Sequence, residues 1–237
     1  MSRMPSKRAL AFTLMLFTLI SCHRQGVRDF WKNHSIDYSD IDAAQEQFAD
    51  FAELAVAASE KDALSALDNL FDQLRKDEVA YYIYADWMAG AFYNLLSPCR
   101  SPQLFSRAVE HMVKDGVMTD GACESFIRQR DWIQYNRKGC PATVPGLSPV
   151  NVRTLVLVLD LGCSSCREAL EKLGADTRWT GLRHVAVGCG YGSVPTVPGW
   201  EYLTPENASV VFDPRLTPIY FIVGPDGLVE EPYSLAL

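Results

Sequence analysis

Two cysteines three positions apart, in Cys163-Ser164-Ser165-Cys166, are the residues of this 237-residue chain whose type and spacing could do chemistry most directly. A thiolate attacks disulfides, and a second thiol one helical turn later is held where it can attack the mixed disulfide and release the other sulfur. Placed at the start of a helix, Cys163 meets unpaired backbone N–H groups and the positive end of the helix dipole, both of which favour thiolate over thiol. This makes Cys163 the attacking sulfur and Cys166, facing inward, the resolving one. Arg167 adds a positive charge nearby, or is simply solvated. The dithiol itself carries the electrons, so no dissociable cofactor is needed. An inert structural disulfide is the plain alternative. Zinc normally takes four ligands, and the chain has neither a second Cys-x-x-Cys nor a paired His motif. Covalent haem attachment needs His after the second cysteine, where Arg167 stands.

The other cysteines give less. Cys189 lies among glycines in Gly188-Cys189-Gly190-Tyr191-Gly192 and is either a third thiol within reach of the pair or a loop cysteine without a redox role. Cys99 and Cys123 could tie two helices together or be buried free thiols. Cys140 is left without a role. His34, His111 and His184 have no nucleophile or acid at telling spacing, and no metal site is assigned to them.

The elements that must position the pair can be read around it. Thr154 to Leu159 is a continuous β-rich apolar run, as a strand buried on both faces requires. Cys163 to Leu173 then predicts a helix with Cys166, Ala169, Leu170 and Leu173 on one face. Further strands are expected over Arg183–Val187, Ser209–Phe212, Ile219–Val223 and Leu228–Glu231. The last two flank Gly224-Pro225-Asp226-Gly227, where proline presets one dihedral and glycine supplies the other. Strand, helix, strand and hairpin make a mixed α/β sheet.

Upstream the period is helical, with helices predicted from Ile41 to Ser59, Lys61 to Arg75, Glu78 to Leu96, Pro102 to Lys114 and Gly121 to Gln134. Ser101-Pro102 reads as a cap followed by proline at the first helical position, and Asp120 as the cap of the last helix. The aromatic group Tyr81, Tyr82, Tyr84, Trp87, Phe92 and Tyr93 reads as core packing, with a ligand groove as the alternative. Pro141, Pro145 and Pro149 with Gly139 and Gly146 end the helical region. The organisation is thus 1–21 leader, 22–36 tether, 37–138 all-helical domain and 139–237 α/β domain.

The leader has a basic start (Arg3, Lys7, Arg8) and an apolar run from Ala9 to Ile20, too short for a comfortable membrane span. It ends in Leu19-Ile20-Ser21-Cys22, which resembles the lipobox of bacterial lipoproteins. That resemblance implies cleavage before Cys22, lipidation of its thiol and attachment to a bilayer. Loss of the leader takes the formal charge from -7 to -10, and an acidic surface repels phosphate backbones, so nucleic acid is excluded as a partner. Export also places the remaining six cysteines where disulfides persist.

Residues 139–233 resemble the thioredoxin-like domains of bacterial envelope lipoproteins of the thiol-disulfide interchange type. The likeness rests on Cys163-Ser164-Ser165-Cys166 and on the segment Phe212-Asp213-Pro214-Arg215-Leu216-Thr217-Pro218-Ile219-Tyr220-Phe221-Ile222-Val223-Gly224-Pro225-Asp226-Gly227. It implies that Pro218 is a cis-proline facing the sulfurs and that the Thr217 backbone pairs with a substrate chain. Asp29-Phe30-Trp31-Lys32-Asn33 and Asn94-Leu95-Leu96-Ser97-Pro98 resemble the helical domain of unknown function that precedes such domains. The pattern departs at Gly162, where thioredoxins carry Trp, and at Leu157, where they carry a buried acid; Asp160 is near but close to the strand end, and is not expected to replace that acid. The closing helix of the fold is expected to be reduced or absent, with the helical domain covering the sheet face it would occupy.

The function these readings predict is a thiol-disulfide oxidoreductase in the cell envelope, lipid-anchored to the inner or outer membrane and facing the periplasm. Its partners are envelope proteins with cysteines or disulfides. The alternative is a non-catalytic binding or scaffolding lipoprotein with a structural disulfide.

Overall fold

Apolar residues recurring every three or four positions build the first half, as the chain's computed structural model shows; it describes residues 26–148, 151–160, 163, 165–189 and 196–236. Five helices follow one another: α1 (Ile41–Ala57), α2 (Glu60–Leu74), α3 (Glu78–Met88, continued by a π-helical turn over Ala89–Tyr93), α4 (Pro102–Asp115) and α5 (Asp120–Gln134). Helix α2 shows the cause plainly, since Ala63, Ala66, Leu67, Leu70, Phe71 and Leu74 are buried on one stripe. Its first turn is capped by Ser59, which accepts from the Asp62 amide. Ser101 caps α4 by accepting from the Leu104 amide, ahead of Pro102. The cap of α5 is Thr119, whose hydroxyl accepts from the Ala122 amide at 3.4 Å, so Asp120 is the first helical residue and not the cap.

Chain contacts divide the protein into two compact units, one up to Cys123 and one from Glu124 onward. In the first, Tyr81, Tyr84 and Phe92 are fully buried, so these rings of the aromatic group are core. Trp31, in the stretch read as tether, is 1% exposed and packs edge-on against Phe51 and Tyr84. Helices α2 and α4 are also joined by polar contacts: Asp68 pairs with Arg107 and lies 2.8 Å from His111 Nε2, and buried Asp115 takes Arg75, at the end of α2, at 2.9 Å.

The second unit is a five-stranded sheet of order β3-β2-β1-β4-β5, with β1 (Thr154–Asp160), β2 (Arg183–Cys189), β3 (Glu201–Leu203), β4 (Ile219–Val223) and β5 (Val229–Leu235). β1 is parallel to β2, and β2 to β3; β4 is antiparallel to both β1 and β5. Central β1 is buried along Thr154–Leu159, which is why it reads as an unbroken apolar run. Leu155, Leu157, Leu159, Ala186 and Ile222 form one core with Cys166, Ala169, Leu170 and Leu173 of α6 (Ser165–Ala175). Near the end of that helix, Gly174 leaves room for Trp200, whose indole nitrogen would lie 3.0 Å from a Cβ there.

The expected strand over Ser209–Phe212 is instead a helical turn, Ala208–Val211. The burial explains it: Ala208, Val211 and Phe212 are buried while Val210 is 63% exposed, a helical rather than alternating spacing. The third strand is Glu201–Leu203, too short to show a pattern.

On the other sheet face Phe221 meets the Tyr233 ring edge-on at 5.3 Å, and Phe212 lies beside both. The end of α5 is tied here: Trp132 Nε1 donates to the Ser209 carbonyl at 3.1 Å, and Asn136 Nδ2 donates to the Tyr233 hydroxyl at 2.7 Å. Asn136 also accepts from the Thr143 amide at 2.7 Å. The Gly139 amide donates to Val229 and the Ala142 amide to Gly227, so the Pro- and Gly-rich stretch runs along the start of β5.

Candidate active site

Strand β1 ends at Asp160, and α6 begins at Ser165, so the pair of cysteines spans a strand-to-helix turn. Gly162 and Ser164 lie outside the described residues. Cys163 stands just ahead of the helix, its amide donating to the Asp160 carbonyl at 3.1 Å; the Cys166 amide donates to the Cys163 carbonyl at 3.4 Å. The two sulfurs have opposite surroundings. Cys163 is half-buried, whereas Cys166 is 1% exposed within the core under α6. All six described cysteines are free thiols.

The Cys163 sulfur lies 2.9 Å from the Ser165 hydroxyl. That hydrogen bond is the main reason its pKa falls below the ordinary thiol value, helped by Cys166 and by the Ser165 and Cys166 amides, against a smaller opposing effect of burial. Burial pushes the Cys166 thiol up to about 12, with the neighbouring Cys163 adding to the rise. One sulfur is thus disposed to be a thiolate and the other to keep its proton.

Sequence register brings Thr217 and Pro218 to this end of the sheet. Val158 pairs with Ile219, so the two residues before Ile219 run alongside Leu159 and Asp160, where β1 gives way to the cysteines. The Thr217–Pro218 peptide bond is cis. The Thr217 hydroxyl donates to the Pro214 carbonyl at 2.7 Å, and buried Asp213 caps the preceding turn while pairing with Arg215.

Cys189 is not in a loop: it is the last residue of β2, fully buried, and its register partner is Asp160. Burial, and secondarily the Asp160 carboxylate, pushes its thiol up to about 12. Alternation along β1 and β2 puts it on the sheet face opposite Cys166, so its side chain is not directed at the partner thiol. Cys99 and Cys123 are both buried, and Cys123 donates to the Met112 carbonyl at 3.6 Å. Leu157, where thioredoxins carry an acid, is fully buried among Leu155, Leu159 and Leu170. The Ser165 hydroxyl is the contact of Cys163 that spacing alone did not single out; the hint was only a hydroxyl side chain between the cysteines.

The fold is thioredoxin-like. A solved structure of a thioredoxin-like protein from Bacteroides caccae is similar to this chain with a TM-score of 0.66, covering 89% of this chain and 87% of that one at 14% identity. No protein-family model matches the chain, and no curated protein does.

Proposed function

We propose that the chain is a thiol-disulfide oxidoreductase of the bacterial envelope, anchored to a membrane through lipid on Cys22 and acting on cysteines of other envelope proteins. The observation that carries the redox reading is the asymmetry of the pair: a half-buried Cys163 bonded to a hydroxyl and lowered in pKa, beside a buried Cys166 pushed up to about 12. Anchoring and location rest on the leader and on Cys22, which lie outside the described residues. Among the described residues no helix is long and apolar enough to cross a membrane.

In the reducing direction the Cys163 thiolate attacks one sulfur of a substrate disulfide, and the other substrate sulfur leaves as thiolate. Cys166 then gives up its proton and attacks Cys163 Sγ, expelling the second substrate sulfur. The substrate gains two electrons, and the pair becomes a disulfide. Run backwards, the same steps oxidise a substrate dithiol. The backbone at Thr217 and Pro218, alongside the end of β1, is the proposed edge for the substrate chain.

Cys163→Ser is expected to abolish turnover in a disulfide-exchange assay, and Cys166→Ser to accumulate a mixed disulfide with partner proteins in the envelope. Equal activity of both variants would overturn the reading. A second reading, a non-catalytic platform, draws on one observation, the buried apolar Leu157 where an acid would assist proton transfer. The reduction potential separates them, since a structural bond falls below about -300 mV.

A further inference from the structure

Helix α5 reaches the segment that ends in the proposed substrate edge, and it does so through Trp132. This residue is half-buried near the end of the helix and meets the segment at Ser209 and at Arg215. Its indole Nε1 donates to the Ser209 carbonyl at 3.1 Å, in the helical turn Ala208–Val211. Further along, the Arg215 guanidinium lies over the face of the same indole, 5.5 Å from the ring centroid. The negative face of an aromatic ring attracts a cation, so this contact adds an electrostatic attraction to the packing.

Arg215 is held from its other side as well. Asp213, 2% exposed, accepts from Arg215 Nε at 3.0 Å, from Nη2 at 2.8 Å and from the Arg215 amide at 2.9 Å. The guanidinium therefore bridges a buried carboxylate and the indole face, a fit that suits its planar, forked shape. Between Arg215 and Pro218 stand Leu216, whose amide donates to the Asp213 carbonyl at 3.1 Å, and Thr217, whose hydroxyl donates to the Pro214 carbonyl at 2.7 Å. The turn is closed on itself, and Ser209 and Arg215 join it and the stretch before it to α5.

The geometry points to Trp132 as a positioning residue for polypeptide substrates: through Ser209 and Arg215 it holds the turn before Pro218, so that the Thr217 backbone is already in place when a substrate chain arrives. This rests on the redox reading above and goes beyond it by separating two kinds of disulfide. A polypeptide disulfide engages the backbone at Thr217 while Cys163 attacks it. A small disulfide without peptide groups needs only the Cys163 sulfur. A binding edge that spends only part of its time in the competent arrangement loses apparent affinity by that fraction. Loosening the turn therefore slows the first kind of substrate and spares the second.

The test uses the full chain carrying Cys166→Ser, in which the Cys163 thiolate attacks a disulfide, one substrate sulfur leaves as thiolate and the reaction stops at the mixed disulfide. Its rate at Cys163 is followed by mass mapping with insulin, a polypeptide disulfide, and with hydroxyethyl disulfide, which has no peptide group. Adding Trp132→Ala is expected to lower the insulin rate about tenfold, through loss of both the Ser209 bond and the ring under Arg215, and to leave the hydroxyethyl disulfide rate unchanged. Trp132→Phe keeps a ring under Arg215 and most of the volume, so it carries the test if Trp132→Ala fails to fold. It is expected to lower the insulin rate about threefold, from loss of the Ser209 bond, again with no change for the small disulfide. Equal losses on both disulfides, as a merely structural role or a change at the thiol would give, would overturn the proposal, and so would an unchanged insulin rate in the folded variants. A Cys166→Ser parent that reacts with both disulfides no faster than glutathione does would overturn the redox reading and this proposal with it, a result distinct from a parent that reacts and variants that fail to discriminate.

Discussion

The two thiols of Cys163 and Cys166 are identical in type, and their surroundings separate them. Cys163 has a hydroxyl bond and partial exposure, so its thiolate forms below the ordinary thiol range; Cys166 lies in the leucine-lined core and keeps its proton up to about 12. The sign of the pH dependence follows. Alkylation of the reduced, folded chain is expected to begin at Cys163 as pH rises through the range below ordinary thiols. Cys166 and Cys189 stay unmodified until the pH nears about 12 or the chain unfolds. Mass mapping of alkylated peptides across pH checks this, and modification of Cys189 before Cys163 would contradict it. Because Cys189 faces away from Cys166 on the opposite side of the sheet, its protection comes from burial rather than from pairing.

Among the elements, the helices have the more legible causes. Spacing of apolar residues places α1, α2 and α4 within a residue or two of their observed ends, because the stripe on each is continuous and the Ser59 and Ser101 caps are local. At α5 the cap differs from the expected one, and the difference is measurable. Thr119→Ala removes the hydroxyl that accepts from Ala122 and is expected to lower stability by about 1 kcal/mol, whereas Asp120→Ala affects only the helix dipole and costs about 0.5 kcal/mol. Denaturant unfolding of the two variants distinguishes them. In α2, Leu67 is fully buried, so Leu67→Ala leaves a cavity and is expected to cost about 3 kcal/mol in the same measurement.

Across the whole molecule, the unit that carries the cysteines begins earlier than its strands. It includes most of α5, and Asn136 shows why: its side chain joins the Thr143 backbone to the Tyr233 hydroxyl while its own backbone is left-handed at φ 51. Asparagine tolerates that conformation better than most residues. Asn136→Gly keeps the backbone and deletes the bonds, so it is expected to lose about 2 kcal/mol of stability, and Asn136→Ala more because of the added strain. Thermal unfolding of the intact chain reads both, and an unchanged Asn136→Gly would show that the link contributes nothing.

Local physics by itself was enough for much of this protein. The apolar run of Thr154–Leu159, the helical face of Cys166, Ala169, Leu170 and Leu173, the turn at Gly224-Pro225-Asp226-Gly227 and the thiol pair at a helix entrance all follow from neighbours in sequence, and so were readable there. What lay beyond reach depends on partners far along the chain. Ser209–Phe212 has strand-like residues but forms a helical turn because its buried side chains meet the sheet face at helical spacing. Trp31 reads as tether until Phe51 and Tyr84 enclose it. Cys189 is in a strand because β2 pairs with β1 to its last residue, opposite Asp160. The contrast between the two site thiols was the same kind of fact: their spacing is written in the chain, but burial under α6 and the hydroxyl beside Cys163 exist only once the strand, turn and helix have packed.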